Sequence, residues 1–400
     1  MVSEKMKNLV KNGSAIRAMF EDGKIMAEKY GKENIYDFSL GNPSIVPPAC
    51  VKESIIDIVN NEPEMALHGY MNNAGYEDVR QAVADYTNKM YGTKLGVNNI
   101  IMTVGAAGGI NVTLKAVVNP GDEIMVIAPY FGEYDNYISN VDGVKVMVNA
   151  DLERFAINFE DFEKKVSPKT KCVIINSPNN PTGVMYTKEE LEKIAEFAVE
   201  RDIYVISDEV YSCLVYSRKT PHISIASLND EIYKRTIVIT GLSKKYAMTG
   251  WRVGFSASNI DVAKAIANIQ SNSTSNINSI AQVAAIEALD NGDDVANEML
   301  VEFQHRRDYI AQRVSDIPLI SCMLPKGAFY LFVDVSKLFG AVIDGVEIKC
   351  SGDVAQILMD KYNVAVVASD AFGYKDYIRI SYATSMRDIV EGTRRIEKFV

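Results

Sequence analysis

Between Gly241 and Gly254 the chain reads GLSKKYAMTGWRVG, with two adjacent lysines and an arginine eight residues after the first of them. A lysine pair is most often a solvated surface feature. A lysine set among small residues in a partly apolar cleft behaves differently. Loss of solvation lowers its pKa, and the neutral amine becomes a nucleophile that forms Schiff bases with carbonyl compounds. If a strand continued through the pair, neighbours would point oppositely, so only one of Lys244 and Lys245 could face such a cleft. Other short apolar runs end in groups that complement an amine of this kind. IIMTV is followed by GAAGG at 105–109, small residues that open a helix. Bare amides at a helix N-terminus bind anions, although a tight turn is the commoner meaning of such glycines. EIMVIA is followed by PYFGEY, with aromatic faces that core packing would also explain. KCVIIN is followed by SPNNPTG, whose plain reading is turn chemistry. IYVIS is followed by Asp208, Glu209 and Tyr211. A carboxylate ending a buried strand needs a partner, either a helix N-cap or a cationic ligand.

These runs are the candidate strands: 100–105, 123–130, 144–150, 171–178, 203–211, 236–241 and 252–258. Several are continuously apolar, as strands buried on both faces of a mostly parallel sheet are. Helical patterns lie between them, such as KEELEKIAEFAVER with Leu191, Ile194, Ala195 and Ala198 on one face. Alternating β and α elements predict an α/β domain with helices on both sides. From about residue 278 the pattern changes to one long helical region, 280–314, and then to strands around one more helix. That predicts a smaller α+β domain, with the N-terminal helix at about 14–30 packed on it. In an open α/β sheet ligands bind at the carboxyl ends of the strands. An anion cradle, an aromatic face, an amide, a carboxylate and a lysine with a nearby arginine at those ends describe one ligand. It has a phosphate, a flat ring with a protonatable nitrogen, and a carbonyl: pyridoxal 5′-phosphate.

Composition excludes other classes. The net charge of −10 argues against a nucleic-acid partner. No run approaches the eighteen or so apolar residues of a membrane span, and the start, MVSEKMKNLVKNG, lacks an apolar signal core. Five scattered cysteines read as free thiols of a cytoplasmic protein. Three histidines with no His/Cys cluster predict no metal site.

From FSLGNP at 38–43 to YIRISYATS at 377–385 the chain resembles the class I/II aminotransferases, fold type I pyridoxal-phosphate enzymes of the aspartate aminotransferase kind. The resemblance implies a large cofactor-binding domain over 45–285 and a small domain made of 1–44 with 286–400. It implies that Lys244 carries the cofactor and that Lys245 falls on a variable position. Arg252 then holds the phosphate together with Gly105, Ala106 and Ala107. Asp208 pairs with the pyridine nitrogen, Tyr211 and Asn180 meet the ring hydroxyl, and Phe131 stacks on the ring. Arg379 binds the substrate α-carboxylate and Gly41 lies over the substrate. Tyr70, in LHGYMNNAG, crosses to the phosphate of a second subunit, so a homodimer is expected. The activity implied is ping-pong transfer of an amino group between an L-amino acid and a 2-oxoacid.

The sequence departs from the family at two places. Many relatives have Ser or Thr three residues before the lysine, where this chain has Gly241; Ser243 is the substitute phosphate ligand. One aspartate-specific subgroup has a lysine in the phosphate turn, where this chain has Ala107. Side-chain specificity, aspartate-type or aromatic and broad, stays open. Arg17, in SAIRAMF, lies in a segment that covers the active site in relatives. Two rivals remain: a C–S β-lyase of the same fold, sharing Lys244, Asp208 and Arg252, and a ligand-sensing regulator, for which the chain leaves no room for a DNA-binding module.

Overall fold

Runs such as Ile124, Met125, Val126 and Ile127 have no polar side chain to offer water, and they form strands buried on both faces. The computed structural model describes residues 2–11, 15–151 and 153–400, without the side chains of 8, 9, 11, 15–18, 20, 22 and 30. Its central sheet has seven strands: β1 (Ile100–Val104), β2 (Glu123–Ile127), β3 (Val144–Val148), β4 (Thr170–Asn176), β5 (Tyr204–Asp208), β6 (Thr236–Gly241) and β7 (Val253–Ala257). The spatial order is β1-β7-β6-β5-β4-β2-β3. All neighbours are parallel except β7, which is antiparallel to both β1 and β6.

Alternate residues of each strand serve opposite faces. Ile174 and Ile206 pack with Ile110 and Leu114 of helix α1 (Gly105–Val117), whereas Val173 and Val205 pack with Leu191, Ile194 and Ala198 of the helix Lys188–Glu200. That helix starts on a capping box, with Thr187 and Glu190 satisfying each other's backbone amides. The sheet is therefore sandwiched, as expected. The reversed strand β7 has a positional consequence. Its N-terminal end lies at the same edge as the C-terminal ends of the others, so Arg252 joins the residues that follow β1, β4, β5 and β6.

A second sheet forms from the C-terminal third: β8 (Ser321–Cys322), β9 (Tyr330–Asp334), β10 (Val367–Ala368) and β11 (Tyr377–Ser381), antiparallel in the order β10-β11-β9-β8. A two-residue strand, Tyr36–Asp37, pairs in parallel with Val364–Ala365, and the Ser381 amide donates to the Phe38 carbonyl. The segment entering at FSLGNP is thereby fastened beside β11.

Three expectations need correction. The strands stop earlier than their apolar runs suggest, as β5 does at Asp208, because the polar loops begin at the sheet edge. The lysine pair is not on a continuing strand. Leu242–Lys245 form a single helical turn, α2, in which neighbours are about 100° apart. Lys244 turns into the cleft and Lys245 turns back into the interior, where its Nζ lies 2.5 Å from Asp293 Oδ1 and 2.6 Å from the Tyr86 hydroxyl. The long helical region is two helices, α3 (Ser279–Asn291) and α4 (Asp293–Ser315), broken at Gly292. A Cβ at Gly292 would sit 2.7 Å from the Tyr246 ring, so the break lets the α2 turn pack against the helix junction. Asp293 starts α4, where a carboxylate suits the helix dipole and also receives Lys245.

Lys245→Ala is expected to lower stability by about 1.5–3 kcal/mol, the range for hydrogen bonds to charged groups, and toward the lower end because Asp293 is half exposed. Urea unfolding of the variant, with its cofactor content measured alongside, checks this; cofactor binding should survive.

Candidate active site

The strand ends surround a cleft of about 580 Å³. At its floor the Lys244 amine donates to the Gly41 carbonyl at 2.7 Å and lies 5.7 Å from the centre of the Phe329 ring. Burial pushes its pKa down from 10.5 to about 8; Arg252 and Arg379 push the same way, and Asp208 opposes them. At 1.36 kcal/mol per unit this is a penalty of about 3 kcal/mol on the charged amine. In the cofactor-free protein that penalty acts below pH 8 and fades as the pH rises to 10.5, where the unfolded chain's lysine also loses its proton.

Asp208 ends β5 with its carboxylate buried. The Tyr134 hydroxyl donates to Oδ2 at 2.7 Å and the Val210 amide to Oδ1 at 3.3 Å. Burial raises its pKa to about 6, against the lowering by those two bonds. A cation bound beside the carboxylate would restore the charged form. The Asn176 amide holds the Asp208 carbonyl at 3.0 Å, and Asn176 Oδ1 accepts from the Asn180 amide at 2.8 Å, so the SPNNPTG turn is fixed to the end of β5. Tyr211 is buried, its hydroxyl 2.8 Å from that of Tyr330.

Arg379 is 1% exposed in the middle of β11. Its Nη1 donates to Asn180 Oδ1 at 3.0 Å and its Nη2 to the Ser39 carbonyl. The guanidinium lies between the rings of Tyr330 and Phe372, at 4.6 and 4.9 Å. Among the described residues its Nε has no partner, an orphaned buried donor that fits a carboxylate ligand.

The opposite end of the cleft fits a phosphate. Arg252 has left-handed backbone (φ 58) and Nη1 anchored on the Thr249 carbonyl at 2.8 Å. Gly105 has φ +65, and a Cβ there would overlap the Arg252 guanidinium, so only glycine serves. Helix α1 begins at Gly105 with no side-chain cap, leaving amides of its first turn for an anion. Ala106, Ala107 and, from the α2 turn, Ser243 line the cleft beside Arg252. Phe131 forms part of the wall, edge-on to Tyr134 at 5.6 Å.

Among the expected residues, Gly41, Phe131, Asn180, Tyr211 and Arg379 thus meet Lys244 and Asp208 in one cleft. Tyr70 does not: it is 96% exposed on a loop and does not line the cleft of its own chain. The side chain of Arg17 lies outside the described residues. The sequence reading missed Tyr134, Tyr330, Asn176, Glu21 and Lys24, all but Tyr134 in the cleft wall. Tyr134 stands in PYFGEY, a stretch that advertises ring faces and hides the use of a hydroxyl. Tyr330 stands in an apolar strand pattern that gives no chemical signal. Among the described residues no group of His, Cys, Asp and Glu could hold a metal ion, and no helix is long and apolar enough to cross a membrane.

An amine of lowered pKa, a buried carboxylate, an anion cradle and a carboxylate-sized arginine site suit an enzyme that handles amino acids. Comparison with known proteins agrees. The model of the family "Aminotransferase class I and II" matches residues 33–396, and the chain belongs to that family. It is 38% identical to "Probable aspartate/prephenate aminotransferase" of Aquifex aeolicus, over 91% of each chain. It is 36% identical to "Aspartate aminotransferase" of Bacillus sp. (strain YM-2), over 92% of each. The structure of the aspartate aminotransferase from Thermus thermophilus with maleate superposes over 100% of both chains with a TM-score of 0.91 at 29% identity. The protein is therefore an aminotransferase, moving an amino group between an amino acid and a 2-oxoacid, with the α/β fold of the fold type I enzymes. The relatives named here are all aminotransferases and give the lyase alternative no support.

In cofactor-free protein, labelling of Lys244 by an aldehyde followed by borohydride reduction is expected to rise through a midpoint near pH 8, where its amine loses its proton. Ordinary lysines stay protonated there. Peptide mapping across a pH series checks this; a midpoint near that of free lysine would contradict the buried amine.

Proposed function

We propose that Lys244 carries pyridoxal 5′-phosphate in this cleft, that the donor is an acidic amino acid or its amide, and that the working unit is a homodimer. The observation that carries the reading is the Lys244 amine, shifted to about 8, sharing one cleft with buried Asp208, Arg252 and Arg379. Within it, residues 45–285 act as the large cofactor-binding unit, and 1–44 with 286–400 as the smaller one.

The cofactor, when bound, supplies an electron sink for the negative charge left at the substrate Cα and a carbonyl carbon that receives the amino group. The chain does the rest. Arg252, Ser243 and the amides of Ala106 and Ala107 would bind the phosphate, while Gly105, whose own amide donates to the Arg252 carbonyl, gives the guanidinium room. Asp208 holds a proton at the pyridine nitrogen, steadied by Tyr134. Tyr211 and Asn180 meet the ring hydroxyl, and Phe131 covers the ring face. Arg379 binds the α-carboxylate through its planar fork, which fixes the Cα hydrogen toward the amine. Gly41 keeps that face open. With the substrate's amino group in its place on the cofactor, the Lys244 amine would be free to take the proton from Cα and return it to the cofactor's C4′, base and then acid with a pKa near working pH. The two half-reactions share the site, giving ping-pong kinetics.

The donor class is supported by relatives named for aspartate, and by one from Streptococcus mutans named asparagine–oxo-acid transaminase, 34% identical over 92% of each chain. Ala107 offers no cation for a side-chain carboxylate. Lys24, in the cleft wall and 3.4 Å from Glu21, offers one. All five cysteines are free thiols, which suits a cytoplasmic enzyme.

Lys244→Ala is expected to lose covalent cofactor and turnover by several orders of magnitude, as loss of the only covalent and proton-transfer group implies. A panel of amino acids, scored in single half-reactions by the change in cofactor absorbance, should rank aspartate or asparagine first; an aromatic amino acid ranked first would overturn the donor class.

The dimer is supported by the surface around Tyr70. Met65, Tyr70, Ile56 and Val59, all between residues 56 and 70, expose 80%, 96%, 53% and 57% of their area, apolar surface of the kind that a second subunit would cover. In a two-fold pair each subunit would give one Tyr70 to its partner's phosphate site and receive one. Mixing inactive Lys244→Ala with a Tyr70 variant is expected to restore part of the activity, since one site of each hybrid keeps both residues. Exchange of subunits without recovery would count against the shared site.

A further inference from the structure

Tyr330 joins the two halves of the cleft. In β9 it lies on the same face as Phe332, which stands directly opposite Arg379 of β11, so Tyr330 and Arg379 are diagonal neighbours across the pair. The Tyr330 ring accordingly lies under the guanidinium, 4.6 Å from it. The hydroxyl at the other end of the ring is 2.8 Å from that of Tyr211, and the two rings meet edge-on at 5.7 Å. A Cβ on Gly41 would collide with this hydroxyl, so the glycine over the substrate is also the residue that admits it. Tyr330 is 2% exposed and can rotate to few alternatives. No other hydrogen-bond partner of its hydroxyl is present among the described residues.

A hydroxyl pair shares one proton between its two oxygens, and either tyrosine can donate. If Tyr211 donated to Tyr330, its own proton would be spent inside the pair. If Tyr330 donates, the Tyr211 proton is free to point into the cleft, and accepting a bond makes Tyr211 a stronger donor, since successive hydrogen bonds polarise one another. We propose that Tyr330 is a positioning residue: its hydroxyl donates to Tyr211 and aims the Tyr211 proton at the ring hydroxyl of the cofactor, while its ring holds Arg379 flat for the substrate carboxylate. The inference rests on the pyridoxal-phosphate reading above and concerns a residue that reading does not use.

The test uses the cofactor-loaded enzyme and the variants Tyr330→Phe, Tyr211→Phe and the double variant. Tyr330→Phe keeps the ring under Arg379 and removes only the hydroxyl. A weaker donor at Tyr211 leaves the cofactor's ring oxygen more basic, so the pH midpoint of the bound cofactor's absorbance should move upward by about half a unit, the size one modest neutral hydrogen bond can supply. Affinity for a dicarboxylate inhibitor such as maleate should stay within about twofold, because the ring platform remains. Tyr211→Phe should move the midpoint further in the same direction. In the double variant the second substitution should add nothing, because the Tyr330 hydroxyl acts only through Tyr211. An unmoved midpoint in Tyr330→Phe, or additive shifts in the double variant, would overturn the proposal. Absence of any cofactor band from the parent protein would instead overturn the reading on which it rests.

Discussion

Three charged side chains, Lys244, Asp208 and Arg379, are withdrawn wholly or partly from water around one cleft, with Arg252 exposed beside them, and most of the molecule can be understood as the means of tolerating that. Charges so placed are stable only with partners and fixed dipoles around them. Each has its own support. Asp208 has Tyr134 and the Val210 amide, Arg252 the Thr249 carbonyl, Arg379 the Asn180 Oδ1 and the Ser39 carbonyl, and Lys244 the Gly41 carbonyl. Most of those supports come from elements distant in sequence, so the site forms only when the whole fold does. The imbalance that remains, an amine held below its usual pKa and a carboxyl held above it, is a set of groups tuned toward neutral pH.

The sheet was legible because its strands are buried on both faces and so read as unbroken apolar runs. The end of each run also marked the site, since a polar group directly after a buried strand has to be at an edge. What the runs could not show was direction. Nothing in RVGFSAS reveals that β7 is reversed, yet the reversal is what brings Arg252 to the same edge as Lys244. The α2 turn was hidden for a similar reason. Four residues are too few for a helical period, and the separation of Lys244 from Lys245 depends on Asp293, Tyr86 and the gap at Gly292, nearly fifty residues away or more.

The site residues with charge or with a motif were readable, and those that act by shape or through another side chain were not. Tyr134 and Tyr330 look like core aromatics from sequence, and by burial they are. Only the positions of their hydroxyls set them apart. Tyr70 presents the reverse case. Its sequence context pointed to a role, while a single chain leaves it in solvent.

The glycines at the phosphate end carry a consequence for how such an enzyme can diversify. A Cβ on Gly254 would meet the backbone of Gly105 and Ala106, and one on Gly241 would meet Gly254, so three stretches of main chain touch without side chains between them. That end of the cleft is built largely from peptide groups, which every amino acid possesses. Arg252 and Ser243 apart, side chains there can change without touching those peptide groups, whereas the few glycines cannot. The exposed rim carries Leu40, Lys24 and Glu21. Lineages descending from one ancestor can therefore exchange substrates by altering that rim, while the cofactor's cradle passes unchanged from one specificity to the next.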